Sequence, residues 1–168
     1  MQNFRKILQN LLKDAERIGV LGIGSELRSD DCAGILVVNQ LQGMDPAKNG
    51  KPEFRTFLGG TAPENITGEI KRFKPTHLII VDAADLGREP GEVAIFGPED
   101  DLGALSFSTH RMPIKIMADY LKQSFDCAII MIGIQPRSLA FGQGYCREVG
   151  ERSSAVAMLI KEIICAKD

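Results

Sequence analysis

Three segments of this sequence carry side chains that can do metal or acid–base chemistry where they stand. Asp30 and Asp31 are adjacent carboxylates directly after the apolar run "IGVLGI" and the polar turn "SELRS". Asp82 and Asp85 close a second apolar run, "THLIIVDAAD". His110, one of two histidines in the chain, lies in "SFSTHRMP". A charge beside an apolar core is costly unless something pairs with it, so the question is what these acids bind. Carboxylate oxygen with imidazole nitrogen suits a borderline divalent ion such as nickel, zinc or iron(II). Plainer roles compete: Asp31 as a helix cap, Asp82 as a loop cap, His110 as the partner of an acid. A nucleotide is a poor fit. "GIGSEL" lacks the third glycine of GxGxxG, and its following acids would repel a pyrophosphate; no GK[ST] loop exists.

The elements that must carry these residues follow from periodicity. Phe4, Ile7, Leu8, Leu11, Leu12 and Ala15 recur at helical spacing, predicting an amphipathic helix over 1–16. Short apolar runs at 18–23, 52–60, 76–85 and 127–134 read as strands, and helices are predicted at 32–41, 61–73, 113–123 and 146–166. A fourth strand, in order along the chain, falls within 87–96. Its connection to the third is too short for a crossover helix, so it should run antiparallel. Alternating strands and helices give an α/β sandwich, with helices on both faces of a mostly parallel sheet. The whole chain, 1–168, is read as one domain. In such sheets ligands bind beyond the carboxyl ends of the strands, which is where Asp31, Asp82 and His110 are expected. His77 begins a strand and belongs to the opposite end.

Composition narrows the class further. The 168 residues carry 44% hydrophobic and 25% charged side chains and a net charge of −2. No basic field is present to recruit nucleic acid or anionic membrane. The apolar runs fall short of the roughly 20 residues a membrane span needs. The acidic, amphipathic start is unlike a signal peptide. Four scattered cysteines, Cys32, Cys127, Cys146 and Cys165, have no CxxC spacing, and are expected to be reduced thiols in a cytoplasmic protein. A monomer is expected.

Five stretches in order carry a resemblance: "GIGSELRSDDCAG" (22–34), "GGTAPEN" (59–65), "LIIVDAADLGREPGEVAIF" (78–96), "STHRMP" (108–113) and "IGIQP" (132–136). On these the chain resembles the [NiFe]-hydrogenase maturation endopeptidases, most closely the type that processes the large subunit of hydrogenase 3. The resemblance implies a three-layer α/β/α sandwich with a five-stranded mixed sheet, order 2-1-3-5-4, strand 4 antiparallel. It implies removal of a C-terminal extension from the large-subunit precursor once nickel has been inserted. It also implies that Asp31, Asp82 and His110 bind that nickel, which the substrate supplies. Ser25 and Cys32 depart from the family's usual Asn and Gly. No Ser-His-Asp or Cys-His arrangement offers a nucleophile, so water is the expected attacking group. Asp30 and Asp85 are either acids that orient the ligands or solvated loop residues. Gln135 is a candidate hydrogen-bond donor to the scissile segment. Two alternatives stay open: a metal-dependent peptidase acting on another protein, and a nickel-binding maturation chaperone that cleaves nothing.

Overall fold

The computed structural model describes residues 1–44, 52–98, 100, 106–107, 111–142 and 144–166. Its strands are β1 (Arg17–Ile23), β2 (Glu53–Gly60), β3 (His77–Asp85), β4 (Val93–Phe96), β5 (Ser106–Phe107) and β6 (Ala128–Ile134). Its helices are α1 (Gln2–Leu11), α2 (Ala33–Leu41), α3 (Thr67–Phe73), α4 (Arg111–Ser124) and α5 (Arg147–Cys165). The main sheet has the order β2-β1-β3-β6-β4. β1, β2, β3 and β6 run parallel, and β4 pairs antiparallel with β6. With β6 counted as the fifth strand, this is the expected order and the expected reversal. The two-residue β5 was not expected; it pairs antiparallel with the end of β3, Phe107 opposite Ala84 and Ser106 opposite Asp85.

The central strands read as unbroken apolar runs because both their faces are covered. Along β3, Ile79, Val81 and Ala83 enter a core with Leu8, Val37, Val38, Val156 and Ile160, beneath α1, α2 and α5. Leu78, Ile80 and Ala84 enter a second core with Ile70, Ile114, Met117 and Leu121, beneath α3 and α4. Phe57 and Phe73 meet edge to face in that second core, with ring centroids 6.0 Å apart.

Two helix boundaries depart from expectation. The first helix ends at Leu11 rather than Glu16, because the chain must reverse within five residues to enter β1 at Arg17. Leu12 and Ala15 remain buried through that reversal, closed by an Ala15 N–H bond to the Leu12 carbonyl at 3.0 Å. The segment predicted as one helix over 61–73 is a 3₁₀ turn, Pro63–Ile66, followed by α3. Thr67 Oγ1 donates to the Glu64 carbonyl at 2.9 Å where the two meet. No helix among the described residues is long and apolar enough to cross a membrane.

Candidate functional site

Asp31 is delivered by a 3₁₀ turn, Ser29–Cys32, between β1 and α2. Two glycines let that turn lie on the ends of the strands. Gly24 has φ +132°, and a Cβ there would fall 1.7 Å from the Asp31 carbonyl oxygen. At Gly34 a Cβ would fall 2.1 Å from the carbonyl oxygen of Val81 and 2.5 Å from that of Ile23. The start of α2 therefore touches the backbone of β1 and β3 at the residue before Asp82. The turn packs against β3, which brings Asp31 and Asp82 to the same carboxyl edge of the sheet.

Both carboxylates are completely buried. Asp82 Oδ1 accepts the Ala83 N–H at 2.9 Å. By the alternation of β3 its side chain shares the face of Ile80 and Ala84, toward α4. Gly133 of β6 stands opposite it in register, leaving that neighbouring position without a side chain. Asp31 differs from every other buried acid described: neither of its oxygens accepts a hydrogen bond among the described residues. Buried polar atoms are nearly always satisfied, and an unpartnered carboxylate is a strong attractor for a cation. Such a group fits a metal-binding role. His110 lies outside the described residues. Among those residues alone no three His, Cys, Asp or Glu side chains gather as a metal site.

The adjacent Asp30 has a different task. Its Oδ2 accepts the N–H groups of Arg137 (2.8 Å) and Ser138 (3.1 Å), and its Oδ1 that of Cys146 (2.6 Å). Cys146 is the N-cap of α5 and makes no side-chain cap of its own; the Asp30 carboxylate serves its N–H from a distant segment, at the end of the helix that favours negative charge. Of its two expected roles, a solvated loop residue is excluded: Asp30 is a buried brace for the turn that carries Asp31. Sequence reasoning missed this, and the only available signal was a second acid where one ligand would suffice.

Gln135 is likewise committed. Its Oε1 accepts from the N–H of Leu86 (2.6 Å) and Arg88 (3.2 Å), and its Nε2 donates to the Pro136 carbonyl (3.1 Å) and to Asp85 Oδ1 (3.4 Å). It shapes the loop after β3 rather than reaching for a substrate. Asp85 is exposed and closes a turn by accepting the Gly87 N–H at 3.1 Å. Ser25 Oγ accepts the Leu27 N–H at 3.3 Å, so it still organises its loop. His77, half-buried beside Thr76, stands at the opposite end of β3 from Asp82, as expected.

The thiols are poorly placed to attack. Cys32 is buried and its Sγ lies 3.2 Å from the Ser29 carbonyl. Burial, with the Asp30 charge behind it, pushes its thiol up to about 11. Cys127 is pushed up to about 12, chiefly by burial. A thiol near 11 keeps less than roughly one part in a thousand as thiolate at pH 7.5. Iodoacetamide at that pH should therefore modify the exposed Cys165 and spare Cys32 and Cys127, as peptide mapping would read. A Cys32→Ala variant should retain proteolysis within a fewfold; a thousandfold loss would point instead to thiol chemistry.

An α/β/α sandwich with buried acids gathered at the carboxyl edge of its sheet defines a class of proteins that bind their ligands at that edge. Residues 35–164 match the family model described as HycI, hydrogenase maturation protease. The chain is 36% identical over 122 residues to the hydrogenase 3 maturation protease of Escherichia coli K12, covering 73% of this chain and 74% of that protein. Its fold is similar to the crystal structure of the [NiFe] hydrogenase maturation protease HycI from Thermococcus kodakarensis, with a TM-score of 0.81 and 34% identity over 94% of this chain and 98% of the other. The solution structure of the E. coli endopeptidase HycI gives a TM-score of 0.70 and 33% identity over 84% and 87%. The chain belongs to the hydrogenase maturation protease family and is, with it, a peptide hydrolase.

Proposed function

We propose that this protein is a cytoplasmic, monomeric endopeptidase that removes the C-terminal extension from the nickel-loaded large-subunit precursor of a [NiFe] hydrogenase. It recognises the nickel held by the precursor through Asp31, Asp82 and His110. The observation that carries this reading is the completely buried Asp31 carboxylate with neither oxygen hydrogen-bonded among the described residues. Asp82 on the same sheet edge supplies a second oxygen donor. His110 is three residues past β5, which pairs with the end of β3, and one before α4, which covers the face Asp82 shares. Two carboxylates and one imidazole leave coordination positions for the thiolates of the substrate, a donor set suited to nickel. With the buried thiols of Cys32 and Cys127 held protonated and no Ser-His-Asp or Cys-His spacing in the sequence, water is the nucleophile in this reading.

The test is mass spectrometry of a purified nickel-loaded precursor before and after incubation with the protein. Loss of one defined C-terminal peptide supports the reading. Stable binding without a change in mass would establish a maturation chaperone in its place.

A further inference from the structure

The turn that presents Asp31 has an outer side. Leu27 and Phe141 are 65% and 79% exposed there. Single exposed apolar residues are common and carry no message by themselves. These two are distinguished by how firmly they are held. Residues 27–29 pair with 139–142: the Gly142 N–H donates to the Leu27 carbonyl (3.1 Å), and the Ser29 N–H to the Gly142 carbonyl (3.3 Å). Arg28 Nε donates to the Leu139 carbonyl at 3.1 Å, and Ser29 Oγ to the Ala140 carbonyl at 3.2 Å. The Arg28 guanidinium lies 5.0 Å above the Phe141 ring. Ser29 is held at φ +43°, a left-handed conformation that a serine adopts only under constraint. Beneath them, Asp30 ties the same two segments together through Arg137 and Ser138.

We propose that Leu27, Arg28 and Phe141 form a rigid docking ridge that seats an apolar segment of the precursor beside the bond to be cleaved. The inference rests on the endopeptidase reading. A shared ion gives one point of attachment, whereas cutting a chain at one bond requires the polypeptide itself to be oriented. The ridge is continuous with the turn that carries Asp31, Leu27 preceding it by four residues. A pre-organised apolar anchor of this kind binds without a large ordering cost. Exposed Met158 lacks that position. It lies on α5 twelve residues beyond Cys146, roughly 18 Å further along the helix axis.

The experiment is steady-state cleavage of a purified nickel-loaded large-subunit precursor by the wild-type protein and by Phe141→Ala, Leu27→Ala and Met158→Ala, with thermal melts of each. Phe141→Ala should raise KM about tenfold and leave kcat within about twofold, as loss of an aromatic anchor does. Leu27→Ala should raise KM a fewfold, and Met158→Ala should match wild type. All four melts should coincide, since the three side chains are largely outside the core. If the wild type cleaves no nickel-loaded precursor, the endopeptidase reading fails and the ridge with it. If the wild type cleaves normally but the KM of Phe141→Ala stays within twofold, or only kcat falls, the ridge alone is wrong.

Discussion

Replacing Asp31 with Asn is expected to slow cleavage of nickel-loaded precursor about a thousandfold or more while raising the melting temperature. The two effects share one cause. A buried carboxylate with no hydrogen-bond donor among the described residues carries a desolvation cost in the apo protein, and replacing it with a neutral amide relieves that cost. The gain should be on the order of 1 kcal/mol, roughly 2–4 °C for a chain of this size. On the proposed function, the same substitution removes an anionic oxygen that would hold the nickel. Asp30→Ala should behave in the opposite sense. It strips three backbone N–H groups of a charged acceptor, each such bond contributing about 1.5–3 kcal/mol. Their sum is a large share of the 5–15 kcal/mol that typically holds a domain together. Calorimetry and a mass-spectrometric time course on the same samples separate the two residues. An Asp31→Asn protein that melts lower than wild type would falsify the ligand role and make Asp31 a structural residue.

The second large effect concerns the origin of the metal. Enzyme treated with chelator and verified metal-free should cleave nickel-loaded precursor at an undiminished rate, and nickel-free precursor should stay intact however much enzyme is added. A peptidase with its own zinc ordinarily holds it with neutral imidazoles, as in HExxH. This chain offers no such motif: its second histidine, His77, is at the far end of β3. Specificity for loaded substrate then follows from the bridging contact that only the nickel-bearing precursor can make. Stripped enzyme that is dead on loaded precursor and revives with added zinc would establish a resident-metal peptidase.

Much of this was readable from the sequence because it depends on local pattern. Strands buried on both faces show as the short apolar runs of β1, β3 and β6, and the reversal of β4 follows from a connection too short to cross over. The carboxyl-edge placement of Asp31 and Asp82 follows from strand direction alone. What distance in sequence conceals is the division of labour between Asp30 and Asp31. Two identical side chains stand side by side, and only backbone donors more than a hundred positions away decide which is satisfied and which is left open. Gln135 misled for the same reason: its amide is spent on Leu86 and Arg88, on a loop that sequence spacing does not connect to it. β5 escaped notice because a two-residue pairing has no periodicity to detect. The split of the 61–73 helix turned on hydrogen bonds within one turn, below the resolution of an apolar stripe.

The brace at Asp30 also fixes when the site comes into being. Its acceptors wait for Arg137, Ser138 and Cys146, which stand 107, 108 and 116 positions further along. Contacts that distant are entropically expensive to form early, so the turn that carries Asp31 takes its final shape only after β6 has joined the sheet and α5 has docked. A chain still emerging from the ribosome, short of Cys146, has Asp31 but not the scaffold that presents it. In kinetic terms Asp30 belongs to the late side of the folding barrier. Asp30→Ala should accelerate unfolding and leave the refolding rate nearly unchanged in stopped-flow measurements. The turn is therefore locked late, when the segment from Arg137 to Cys146 arrives to satisfy Asp30.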